Sequence, residues 1–103
     1  MKTLRVMPGV CGLETVLTAE SEDGMEVTIK ASSKCGAVCK LIESLEQPLD
    51  AYEVCFVKPG EGPVYEAACC LSHGACPIPS AVIKCIEAEC KLALPADVTM
   101  KFE

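Results

Sequence analysis

The chain has 103 residues, fifteen Asp and Glu against nine Lys and Arg for a net charge of −6, and a composition that is 50% hydrophobic with nine cysteines. That length excludes a multidomain enzyme, and an acidic balance without any run of basic residues argues against nucleic acid or an anionic membrane as partner. With two Tyr, two Phe and no Trp, the core has to be aliphatic and sulfur-rich.

In chain order, residues 3–7 read as a first strand ended by Pro8-Gly9. Leu13, Leu17 and Ala19 alternate with polar residues, as do Met25, Val27, Ile29 and Ala31, so residues 13–20 and 25–32 read as two half-buried strands. The polar, Gly-ended stretch 20–24 makes them a hairpin. For the apolar residues to share a face the register sum must be even, and a five-residue loop pairs Ala19 with Met25 and Leu13 with Ala31. Extended, this pairing sets Cys11 opposite Ser33.

The period then changes. Val38, Leu41, Ile42 and Leu45 recur at helical spacing, predicting a helix opened by Ser32 or Ser33 and closed near Gln47-Pro48. Residues 50–57 carry two signals, a capping-box spacing of Asp50 and Glu53 and an alternation of Tyr52, Val54 and Phe56; the reading is a short helix. Pro63 and Gly74 bracket a helix over 64–73, and Pro77 and Pro79 open another that runs to about Lys91, with Val82, Cys85, Ile86 and Cys90 inward. Val98, Met100 and Phe102 alternate with polar residues, predicting a last strand. The fold class is α+β: a two-layer domain over 1–103, with a four-stranded, mainly antiparallel sheet and helices on its one apolar face.

Nine cysteines in a small chain suggest a disulfide scaffold when the protein is secreted. Here residues 1–12 lack an apolar signal-peptide core, no segment approaches a transmembrane length, and the cysteine count is odd. The expectation is a cytoplasmic protein with reduced thiols, of the kind tolerated best in an anaerobe.

The expected register sets Cys11 at the sheet end where Cys35 starts the first helix. Cys39 follows Cys35 on the same helix face. Cys76 opens the last helix and joins this group only if that helix begins at the same sheet end, which topology decides. Cys11, Cys35, Cys39 and Cys76 are therefore the candidate metal ligands, a thiolate set suited to tetrahedral zinc or an iron–sulfur cluster. His73, the one histidine, precedes Cys76 by three residues and is either a further ligand, a partner that holds the Cys76 thiolate, or a helix cap. Cys85 and Cys90 read as packing residues, Cys69-Cys70 as a mid-helix pair whose side chains diverge, and Cys55 has no evident partner. No paired-carboxylate site is claimed, and the reading favours a non-enzyme while leaving an enzymatic role open.

Three resemblances attach to these residues. Cys11-Gly12 and Cys35-Gly36 resemble the knuckle turns of rubredoxins and zinc ribbons, whose glycines free backbone N–H groups for metal-bound sulfur, although no Cys-x-x-Cys occurs. Cys76-Pro77-Ile78-Pro79 followed by an apolar helix resembles the Cys-Pro-x-Pro motif of the TusA/SirA-like sulfur-carrier family, here three-quarters along the chain rather than after the first strand. That resemblance implies a persulfide-carrying Cys76 relaying sulfur to a protein partner. Pro8-Gly9-Val10-Cys11-Gly12, Cys35, His73-x-x-Cys76-Pro77-x-Pro79 and Leu92-Ala93-Leu94-Pro95 together resemble a family of small uncharacterised cysteine-rich prokaryotic domains. Three functions follow as expectations: a metal- or iron–sulfur-binding protein, a thiol relay with Cys76 as nucleophile and a redox or sulfur-transfer partner, and a structural or interaction domain with incidental cysteines.

Overall fold

Alternation of buried and open side chains shapes three consecutive strands, β1 (Lys2–Val6), β2 (Thr15–Glu20) and β3 (Glu26–Ser33), in a computed structural model that describes residues 1–103. With a two-residue β4 (Leu49–Asp50) they form one antiparallel sheet in the order β1-β2-β3-β4. Leu17 faces Leu4 and Ala31 across the ladders, and Ala19 faces Ile29, so one face is apolar along its middle, with Lys2 at one end and the Thr15 and Ser33 hydroxyls at the other. Over it lie α1 (Gly36–Ser44), α2 (Ala51–Cys55), α3 (Pro63–Ala67) and α4 (Ile78–Glu89), with a single 3-10 turn (Ala68–Cys70) after α3. The core is contiguous: Leu17, Val27 and Ile29 of the sheet meet Val38, Leu41, Val54, Val64, Val82 and Ile86 of the helices.

The hairpin register differs from the expected one. Ala19 pairs with Ile29 rather than Met25, and Thr15 rather than Cys11 with Ser33, so the two strands have slipped by four residues. The cause is local. Asp23 Oδ1 accepts the N–H groups of Met25 and Glu26 at 2.8 and 2.9 Å, and Ser21 Oγ accepts from Gly24 at 2.9 Å and donates to the Glu26 carbonyl at 2.6 Å. These bonds build a wider turn and hold the Asp23 carboxyl below its ordinary range, the Glu26 N–H first and the Met25 N–H second. A slip of four keeps the parity, so the apolar face survives while Met25 is left exposed.

The helices also depart at their ends. Cys35, not Ser32 or Ser33, is the N-cap of α1, because the Ser33 hydroxyl is already spent in bonding to Thr15 and to Cys35 N. Past the end of α1, the Gln47 amide accepts from Ile29 N at 2.7 Å and donates to Ile29 O at 3.0 Å, doing on the β3 edge what a paired strand residue would do. Over 50–57 the short helix forms and the Tyr52, Val54, Phe56 alternation makes no strand: Asp50 caps α2 by accepting from Tyr52 N and Glu53 N, and strand pairing is confined to Leu49–Asp50 just before it. Replacing that cap, Asp50→Ala, is expected to cost about 1 kcal/mol in equilibrium unfolding.

The expected helix over 64–73 is shorter: it starts at Pro63, ends in the 3-10 turn at Cys70, and leaves His73 and Gly74 outside. α4 closes with Lys91 in the left-handed region (φ 60°), Leu92 N bonding Glu87 O at 2.8 Å and Lys91 N bonding Ala88 O at 3.3 Å. The chain turns away there, and residues 98–102 form no strand; Val98, Met100 and Phe102 stand exposed. Alternation alone makes a segment ready to pair, and this one pairs with no strand; the fourth strand is Leu49–Asp50 instead.

Candidate functional site

The last rung of the β2–β3 ladder, Thr15 with Ser33, marks one end of the sheet. Their hydroxyls are 2.6 Å apart, Ser33 Oγ accepts the Cys35 N–H at 3.1 Å, and Thr15 Oγ1 donates to Leu13 O at 3.5 Å. This chain of bonds ties the start of α1 to the loop that carries Cys11. Cys35 is half-buried at the helix start, and no acidic side chain sits in the first turn, so the partial positive charge of that end is uncompensated. Cys39, one turn on, directs its Sγ to the Ser33 carbonyl at 3.8 Å.

Cys11 does not lie opposite Ser33, because Thr15 occupies that place. It sits instead in a turn past the strand ends, closed by Gly12 N bonding Gly9 O at 2.9 Å, and is exposed. Gly9 (φ 100°) and Gly12 (φ 66°) take backbone angles that a side chain would strain, which is why glycine frames this cysteine.

The direction of α4 decides where Cys76 falls. Cys85 Sγ donates to the carbonyls of Lys2 and Leu17, at 3.5 and 3.9 Å, and Glu89 Oε2 accepts from Ser21 N at 3.0 Å beyond the far end of β2. The helix therefore runs from the Thr15–Ser33 end toward the hairpin tip. Cys76, two residues ahead of its first turn, is at the same end as Cys11 and Cys35. It is half-buried against the core, and its N–H bonds the His73 carbonyl at 3.1 Å. His73 is exposed in this turn and caps no helix, since the 3-10 turn has ended three residues earlier.

A fifth thiol reaches this region that spacing did not single out. Cys70 Sγ lies 3.4 Å from the Ala37 carbonyl in the first turn of α1. Nothing local in the sequence announces this contact, which depends on α3 and its 3-10 turn packing back on α1. Cys69 and Cys70 also border an open cleft of about 830 Å³ whose other walls include Lys40, Asp50, Glu53 and Glu66.

Five cysteines from four chain segments thus share one end of the sheet. No three Cys, His, Asp or Glu side chains stand close enough there, or elsewhere, to hold a metal ion as they are oriented. The remaining thiols differ in surroundings. Cys85 and Cys90 are buried, Cys55 is half-buried, and burial raises all three, Cys55 to about 12 with the Glu87 carboxylate and, once ionised, the Cys90 thiolate adding to it. These three are protonated packing groups at neutral pH, in keeping with the inward face of α4 that Cys85 and Cys90 occupy.

No helix is long and apolar enough to cross a membrane. No curated protein and no solved structure matches the sequence. A family model does match, over residues 2–102, nearly the whole chain, a span that includes the cysteine turn, the start of α1 and Cys76. The chain accordingly belongs to DUF6951, a family of unknown function.

Proposed function

We propose that this protein binds a soft metal centre, zinc or an iron–sulfur cluster, through thiolates at the Thr15–Ser33 end of the sheet, with Cys11, Cys35, Cys39 and Cys76 as ligands and Cys70 or His73 as reserve. The observation that carries this reading is the segregation of cysteines: five of nine, from four separate segments, sit at one end, while the three with raised thiols pack elsewhere. Thiolates are charged, soft donors that suit these metals. Binding would turn Cys39 and Cys70 away from the carbonyls they now touch and draw the Cys11 turn over the sheet end.

Titration of the fully reduced protein with cobalt(II), a spectroscopic stand-in for zinc, tests this. The expected result is a sulfur-to-cobalt charge-transfer band that saturates at one equivalent. Cys11→Ser, Cys35→Ser, Cys39→Ser and Cys76→Ser should each weaken binding by more than the roughly 10- to 100-fold that loss of a supporting group costs, with Cys85→Ala unchanged. Absence of the band, or a band indifferent to all four serine variants, overturns the reading.

One observation favours a second reading. Cys76 is tied by its backbone to His73 and stands just ahead of α4, in the context that resembles a sulfur carrier. In that role the Cys76 thiolate attacks the terminal sulfur of a donor protein's persulfide; the donor's S–S bond breaks and the donor leaves as a thiolate. Only Cys76→Ser would abolish persulfide uptake, whereas the metal reading needs all four ligands.

A further inference from the structure

The segment after α4 keeps a strand's alternation without a partner. Val98, Met100 and Phe102 are 63%, 84% and 101% exposed, and the outer edge of β1 is likewise unpaired, since β1 ends the sheet order. Open edges and free amphipathic strands both leave backbone groups without partners and invite pairing between chains. We propose that residues 98–102 of one copy add to β1 of a second copy, in a two-fold dimer in which each tail covers the other's edge.

The patterns fit residue for residue. In an antiparallel register Val98 falls opposite Val6, Met100 opposite Leu4 and Phe102 opposite Lys2, all on the face that β1 turns toward the core through its pairing with Leu17 and Ala19. Thr99 and Lys101 then face the solvent side with Arg5 and Thr3. Charge agrees in sign: β1 carries Lys2, besides an Arg5 already paired with Glu14, and no acid, whereas residues 97–103 carry Asp97 and Glu103 against Lys101. The chain's own tail is a poorer occupant. It leaves α4 at the end of the sheet where β1 begins, as the 3.1 Å contact of Glu89 with the Met1 amine shows, so folding back along its own β1 gives a parallel pair. Parallel pairing is the weaker ladder, and a second copy can approach antiparallel. The exchange is isologous and closes on itself, so it makes a dimer and not a fibre.

The test is sedimentation of the full chain with reductant present, which removes any disulfide-linked species, across roughly 5 to 500 µM, the range in which a small interface equilibrates. The wild type should rise from 10.9 kDa toward twice that mass. The triple variant Val98→Asp, Met100→Asp, Phe102→Asp alters only exposed side chains and so keeps the fold; it should stay at the single-chain mass throughout. Amide exchange of residues 98–102 should slow as the dimer forms. A wild type that remains a single chain at the highest concentration overturns the proposal, including one whose tail amides are protected, which would mean pairing with its own β1. So does a triple variant that associates as the wild type does.

Discussion

Leu17→Ala should lower the free energy of unfolding by about 3 kcal/mol. Leu17 is fully buried in the middle of β2, between Leu4 and Ala31 on the neighbouring strands and beneath α4, whose Cys85 thiol reaches the Leu17 carbonyl. Truncation removes three carbons, Cγ and its two methyls, from a site walled on three sides by regular structure, which cannot collapse to fill the gap. Against a typical total of about 5 to 15 kcal/mol, the loss is a large share of the whole. Val16, one residue earlier, points to the solvent face, and Val16→Ala should cost less than about 0.5 kcal/mol. Urea denaturation of the two variants measures both; equal losses would mean that the face assignment is wrong.

The second large effect is alkaline destabilisation. The Cys55 thiol is pushed up to about 12 by burial first, then by the charges of Glu87 and Cys90, and burial raises Cys85 and Cys90 as well. In the unfolded chain a thiol ionises near 8.5. The folded state therefore holds these protons when the unfolded state has released them. The stabilisation is fully present below the unfolded value and is lost as pH rises through the interval between the two. At pH 10, Cys55 alone should cost about 1 kcal/mol relative to pH 7 after allowance for its partial exposure. The check is the pH slope of stability under reducing conditions, compared with Cys55→Ala, which should flatten it whatever that variant does at pH 7. Identical slopes would show that Cys55 ionises alike in both states.

How much of this was legible in the sequence depends on the range over which each residue acts. The apolar face of β2 and β3 follows from period-two alternation, which survives a register error of four because parity is all it needs. The Asp50 cap and the Pro63 start of α3 are likewise local, written within four residues of the backbone groups that they serve. The register itself was not local in this sense: Ser21 and Asp23 widened the turn with side-chain bonds that a loop-length rule does not count. Residues 98–102 have the pattern of a strand but pair with none, and the pattern says nothing about partners. Among the thiols, Cys35 and Cys39 are joined by helical spacing, while Cys70 reaches α1 only through the packing of another helix. Cys76 lay between these cases. Its sequence context was visible, but its place at the Cys11 and Cys35 end rests on the direction of α4, fixed by Cys85 and Glu89 at the helix's other half.

The central claim is that the thiols at this sheet end bind metal. Its most direct test is iron, zinc and acid-labile sulfide analysis, with a visible spectrum, on protein purified without oxygen and without a metal-binding tag. The account predicts near-stoichiometric zinc, or iron with sulfide, that is lost in Cys35→Ser and Cys76→Ser proteins of unchanged fold. Metal-free protein with every thiol open to titration once unfolded would contradict it.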